Sequence, residues 1–92
     1  MKTEIVIARY NENLDWIKKI PRCIKITIYN KGKDDIPFPF IKLPNIGRES
    51  HTYLYHIINN YDKLAARTIF CQGDSIFHSP DFINLIKYRK YF

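Results

Sequence analysis

Glycine is scarce in this 92-residue chain, with three in all, and no pair of them builds a G-x-G-x-x-G loop or a phosphate loop of the G-x-x-x-x-G-K type. Cysteine is scarcer still. Cys23 and Cys71 sit far apart in apolar runs, too few for a disulfide framework, and both are expected as buried, reduced thiols. The two cysteines and three histidines lack zinc-ligand spacing, and His51 and His56 diverge on a helix. Ser75 and Ser79 have no nucleophile-elbow context. No apolar run approaches the ~20 residues needed to span a bilayer. The N-terminal run carries Glu4 and no small-residue cleavage site, so no signal peptide is expected and the expected setting is cytoplasmic. Acids are outnumbered, nine against fifteen Lys and Arg, for a net charge of +6. The excess is scattered from Lys18 to Lys90 rather than concentrated, which suits an anionic ligand or simple solubility better than a nucleic-acid groove. The aromatic and basic tail KYRKYF is a weak RNA-binding signal.

What the chain does have is a dense set of β-branched and aromatic residues, 46% hydrophobic overall, which argues for one packed domain. The spacing predicts a strand over 3–10, a short helix over 11–20 capped by Asn11 or Asn13, and a second strand over 25–30. Pro37, Pro39 and Pro44 make 31–47 a loop, with a short extended piece at FIKLP. A long helix is expected over 48–66, with Tyr53 or Leu54, Ile57, Ile58, Tyr61 and Leu64 as its apolar face. A third strand follows over 67–72, and a last helix over 79–92 starts at Ser79-Pro80. The sum is an α/β fold, βαβ then αβα, a small three-layer domain with a short, mostly parallel sheet.

Ligands of such sheets gather at the carboxyl ends of the strands. Three polar segments fall there: Tyr10-Asn11-Glu12, Tyr29-Asn30-Lys31-Gly32 and Gln72-Gly73-Asp74. Asn11 and Glu12 either dress a helix start or turn open backbone N–H groups toward an anion. Gly47-Arg48 opens the long helix and is either an ordinary helix start or a guanidinium and open N–H groups placed for a phosphate. Asp74 beside Gly73 is either a turn former or a hard oxygen ligand for Mg²⁺ or Mn²⁺. His78 reads as a second ligand or as a surface residue.

The order IVIARYNE, ITIYNKG, PNIGRESHTYLYHIINNYDKL and TIFCQGD resembles an uncharacterised family, a domain of unknown function found in fungi and large DNA viruses. That family is in turn similar to the nucleotide-binding half of inverting, family 2 glycosyltransferases of the GT-A fold, a Rossmann-like half domain. The resemblance implies a UDP-type nucleotide sugar as ligand. It places Tyr10, Asn11 and Glu12 on the nucleotide and Asn30 on a uracil edge, makes Asn45, Gly47 and Arg48 the nucleotide-binding Asn-x-Gly segment that leads into a helix, and puts Arg48 at the diphosphate. It places Asp74 on the metal, with Gln72 standing where the first acid of an Asp-x-Asp motif would be. A complete GT-A enzyme has a second half that binds the acceptor and supplies the catalytic base, so a partner chain or a homodimer is the expected supplement. The competing expectation is a non-catalytic module that binds protein or nucleic acid through its basic, aromatic surface.

Overall fold

The computed structural model describes residues 3–73. Four strands form one parallel sheet: β1 (Thr3–Arg9), β2 (Lys25–Asn30), β3 (Ile41–Lys42) and β4 (Arg67–Gln72), in the order β3-β2-β1-β4. One helix, α1 (Arg48–Asn59), joins β3 to β4 through a 3-10 turn at Tyr61–Lys63. The expected strands and the α/β class are present, and the extended piece at FIKLP is β3. The expected helix over 79–92, with Asp74 and His78, lies outside the described residues.

β1 is central because it is apolar on both faces, as parallel strands covered on two sides are. Ile5 and Ile7 point to one face with Ile28 and Cys71, where Leu14, Trp16, Ile17 and Ile20 cover them. Val6 points to the other face with Tyr29, Leu43 and Phe70. There α1 packs: Tyr53 lies 5.0 Å from Phe70, and Tyr55 lies 5.7 Å from Tyr29, ring centre to ring centre.

Four expectations are corrected. The helix over 11–20 is a single 3-10 turn, Asp15–Lys19. Its N-cap is Leu14, with no side-chain cap, not Asn11 or Asn13; Asn13 accepts the Asp15 N–H at 2.7 Å just before it, and Pro21 follows its end. The long helix stops at Asn59: Asn60 leaves the helical backbone (φ −125, ψ 20), its N–H making the last bond to the His56 carbonyl at 3.1 Å and its side chain donating to the same carbonyl at 2.8 Å. Cys23 is exposed, whereas Cys71 is buried as expected, and neither forms a disulfide. The helix also presents only part of the expected stripe to the sheet: Tyr53 packs on Phe70 and Ile57 is half-buried. Its fully buried residues are Thr52 and His56, while Leu54, Ile58 and Tyr61 are 58%, 72% and 77% exposed.

The burial of His56 has a polar cause. The sheet face under α1 carries Glu4, Thr27 and Tyr29, which demand partners once water is excluded. The Tyr29 hydroxyl lies 2.7 Å from His56 Nδ1, His56 Nε2 lies 3.5 Å from Glu4 Oε1, and the Thr27 hydroxyl donates to Glu4. Burial raises the Tyr29 phenol above its ordinary pKa, with the Glu4 charge adding to the effect. The same desolvation pushes Tyr53, against Phe70, up to about 12.

Candidate functional site

The strand register brings Arg9 beside Asn30 and Ala8 beside Gln72, so three strands end together. Over that edge lies a cleft of about 550 Å³, lined by Tyr10, Glu12, Lys31, Asn45, Arg48 and Glu49, with Gln72 at its floor. Of the residues expected to bind a nucleotide, the structure brings Tyr10, Glu12, Asn45 and Arg48 to this cleft. Gly47 shapes it from behind, through the turn described below. Tyr10, Asn45 and Arg48 are exposed, so their polar atoms are open to a ligand.

The other two amides serve the scaffold. Asn30 is fully buried, and its side chain is committed on both ends. Its Oδ1 accepts from Arg9 Nη1 at 3.1 Å and from the Gly32 N–H at 3.0 Å, while its Nδ2 donates to the Lys33 carbonyl at 2.8 Å. It turns no free edge to a base. Asn11 bridges the two strand ends instead of lining the cleft, accepting the Lys33 N–H at 2.9 Å. Gly32 fits beneath it only because it has no side chain: a Cβ there would stand 1.6 Å from the Tyr10 carbonyl oxygen.

The centre of this apron is Arg9, which the sequence alone gave no reason to single out. It is 4% exposed. Its guanidinium donates to the Glu12 and Lys33 carbonyls, to Asn30, and to Asp35 at 2.9 Å. A buried guanidinium is tolerable only with its donors satisfied in this way. The Arg9 hydrogen bond holds the Asp35 carboxyl below the usual carboxylate range.

Glu12 folds back over its own backbone. Its carboxylate accepts the N–H groups of Tyr10, at 3.1 Å, and of Asn11, at 3.0 Å. It also lies against Gly73, where a Cβ would come within 2.4 Å of Glu12 Oε1. Gly73 is itself fixed at both ends, its N–H donating to the Ala8 carbonyl at 3.1 Å and its carbonyl accepting from Trp16 Nε1 at 2.8 Å. Asp74 follows it in sequence beyond the described residues, as does His78. Among the described residues no group of three or more His, Cys, Asp or Glu side chains is placed to hold a metal ion.

The far wall is a turn with unusual backbone. Gly47 (φ 68) and Arg48 (φ 51) are both left-handed, and Arg48 is the one non-glycine residue with positive φ among the described residues. A side chain with a Cβ costs about 1–2 kcal/mol in that region. Lys31, at the end of β2, holds the turn: its ammonium donates to the carbonyls of Ile46 and Arg48, both at 2.6 Å. Lys31 is only 9% exposed, and burial lowers its pKa from the ordinary lysine value, with nearby Glu49 acting the other way. The sequence places Lys31 in a strand-end segment but gives it no role of its own. Its place directly after a strand and before Gly32 was the available signal. Glu49 in turn accepts from Gln72 Nε2 at 3.1 Å, tying the start of α1 to the end of β4.

The class defined by these features is a parallel α/β domain with a mixed-charge cleft at the carboxyl ends of its strands. Residues 5–88 match the model of a family described as Protein of unknown function (DUF3431), and the chain belongs to that family. Comparison with curated proteins gives no match, and comparison with solved structures gives none. Among the described residues no helix is long and apolar enough to cross a membrane.

Proposed function

We propose that this domain binds a nucleotide sugar of the UDP type in the cleft over the strand ends, as a minimal glycosyltransferase-like protein. The observation that carries the reading is the convergence of Tyr10, Glu12, Asn45 and Arg48 on one cleft at the carboxyl edge of a parallel sheet. Parallel α/β sheets hold their ligands at that edge. The exposed Tyr10 ring offers a face on which a base can stack, and the Asn45 amide offers a donor and an acceptor for a base or ribose. Arg48 and Lys31 supply positive charge to a diphosphate. Asn30, buried and committed, is left out of this assignment.

The Mg²⁺ or Mn²⁺ part of the proposal depends on Asp74 and His78, outside the described residues. The described donors do not fit a cation by themselves, since Glu12 is turned onto backbone N–H groups and Gln72 is neutral. No chemical step is therefore routed through a metal, and no catalytic base is assigned.

The test is an NMR titration of isotope-labelled protein with UDP, run with and without Mg²⁺. Saturable shifts at Tyr10, Asn45 and Arg48 are expected. Absence of shifts at millimolar UDP in both conditions overturns the reading. If Asp74→Ala leaves affinity and its Mg²⁺ dependence unchanged, the metal assignment falls separately.

One observation favours a second reading, a binding module without catalysis. Leu54 and Ile58 on α1, with Tyr61 in the 3-10 turn that follows, are exposed apolar side chains. A second copy of the chain is the occupant proposed, and light scattering across a concentration series tests it. A monomer throughout removes this reading.

A further inference from the structure

We infer that Lys31, rather than the more exposed Arg48, is the principal direct contact for an anionic group in the cleft, and that the group it takes is a phosphoryl oxyanion of the pyrophosphate class. The ligand class rests on the nucleotide reading above; the assignment of Lys31 rests on its own geometry.

An ammonium has three N–H donors. Two are used, on the carbonyls of Ile46 and Arg48. The third has no acceptor among the described residues, and Lys31 lines the cleft. No carboxylate of the described residues forms an ion pair with it, although it is 9% exposed. A charge withdrawn from water this far normally has a counter-charge. Two carbonyl dipoles and a more distant Glu49 compensate it in part, and an oxyanion entering the cleft completes the set. Arg48 stands in the opposite situation. It is exposed at the cleft rim, where water and salt screen its charge. Rim cations mainly speed encounter, whereas truncating a desolvated charge that contacts the ligand weakens the complex itself. Lys31 also holds the carbonyls on either side of Gly47, so the residue that meets the anion is the one that sets the turn bearing Arg48.

The probe is inorganic pyrophosphate, titrated into the full chain with lysine side chains isotope-labelled. The Lys31 Cε and Nζ signals are expected to shift saturably in the unmutated protein, a readout that needs no variant to fold. Lys31→Met is expected to weaken pyrophosphate binding by about tenfold or more, Arg48→Met by only a few-fold, and Lys18→Met not at all. Saturable binding with the Lys31 signals unmoved overturns the inference. So does a larger loss in Arg48→Met than in Lys31→Met. A parallel UDP titration separates the two proposals. UDP bound with Lys31 silent leaves the nucleotide reading standing and removes this one. Pyrophosphate moving Lys31 while UDP does not bind does the reverse. No binding of either at millimolar concentration removes both.

Discussion

Trp16 and Gly73 are joined by one buried hydrogen bond, indole Nε1 to carbonyl oxygen at 2.8 Å, that ties the first turn after β1 to the last described residue after β4. The indole is both a core side chain and the donor that fixes the end of the strand next to the cleft. Trp16→Phe keeps a large ring in the core but leaves the Gly73 carbonyl without that donor. A loss of about 1–2 kcal/mol is expected, read by chemical denaturation. The denaturant slope should stay unchanged, because the surface exposed on unfolding is the same.

Gly32→Ala is the most damaging single methyl available at the cleft. The new carbon would stand 1.6 Å from a backbone oxygen rather than from a side chain that can swing away. The strand ends must separate, breaking the Asn11 to Lys33 and Asn30 to Gly32 bonds. The expected loss is above about 2 kcal/mol, measured by thermal or denaturant unfolding, with shifts centred on Tyr10 and Lys33.

At His56 the prediction concerns coupling. His56→Leu removes the group between Tyr29 and Glu4 and leaves the buried Tyr29 hydroxyl without its partner, while Glu4 keeps Thr27 and Lys25, for an expected loss of about 1–3 kcal/mol. Tyr29→Phe removes the hydroxyl instead. The double variant should be less destabilised than the sum of the two singles, by about 0.5 kcal/mol or more, in a double-mutant cycle. Strict additivity would show that the contact carries no energy.

The Arg9–Asp35 pair predicts a pH dependence. Asp35 has a depressed folded pKa, so it binds fewer protons in the folded state than in the unfolded state as pH falls. Its contribution is fully present above the unfolded value, ~3.9, and is lost as pH drops through the lower folded value. Asp35→Asn should therefore flatten the stability profile below about pH 4 and leave its slope near neutrality unaltered. Unfolding midpoints from pH 2 to 7 provide the check.

The outward row of α1 gives a prediction of the opposite kind. Ile58→Lys, at a position 72% exposed, should change monomer stability by no more than about 0.5 kcal/mol. A helix buried on its Leu54–Ile58 stripe would lose several times that.

Particular residues explain how much the sequence could tell. β1, β2 and β4 were legible because IVIA, ITIY and TIF are β-branched and aromatic runs of strand length bounded by polar residues. The cleft was legible as a place, since the ends of three such strands must meet if they are parallel. The start of α1 was legible at Gly47, whose missing side chain the left-handed backbone requires. The inward stripe of α1 was not. Two stripes compete on that helix, and periodicity favours the more apolar one. The sheet beneath it, with Glu4 and Tyr29, selects His56, while Thr52 is buried beside it with no hydrogen bond from its hydroxyl among the described residues. Arg9 and Lys31 escaped for a related reason. A cation in a basic chain reads as solvated, and only the folded chain shows which carbonyls surround it. The Asn30 assignment failed likewise, because an amide at a strand end looks the same in sequence whether its donors face a ligand or Lys33.

The strand order has a consequence for how the molecule is made. β1 is synthesised well before its second neighbour, β4, with which it pairs Thr3 to Arg67 and Ala8 to Gln72. During synthesis the most apolar strand of the chain therefore waits, with one edge open, until nearly all the described residues have emerged. Pairings that close so long a loop form slowly. In the interval β1 has its partner β2 on one side and an unsatisfied edge on the other, the geometry that invites pairing between chains. Of the four described strands the earliest in the chain is the last to be enclosed, so the arrival of β4 is the step that closes the edge open to aggregation.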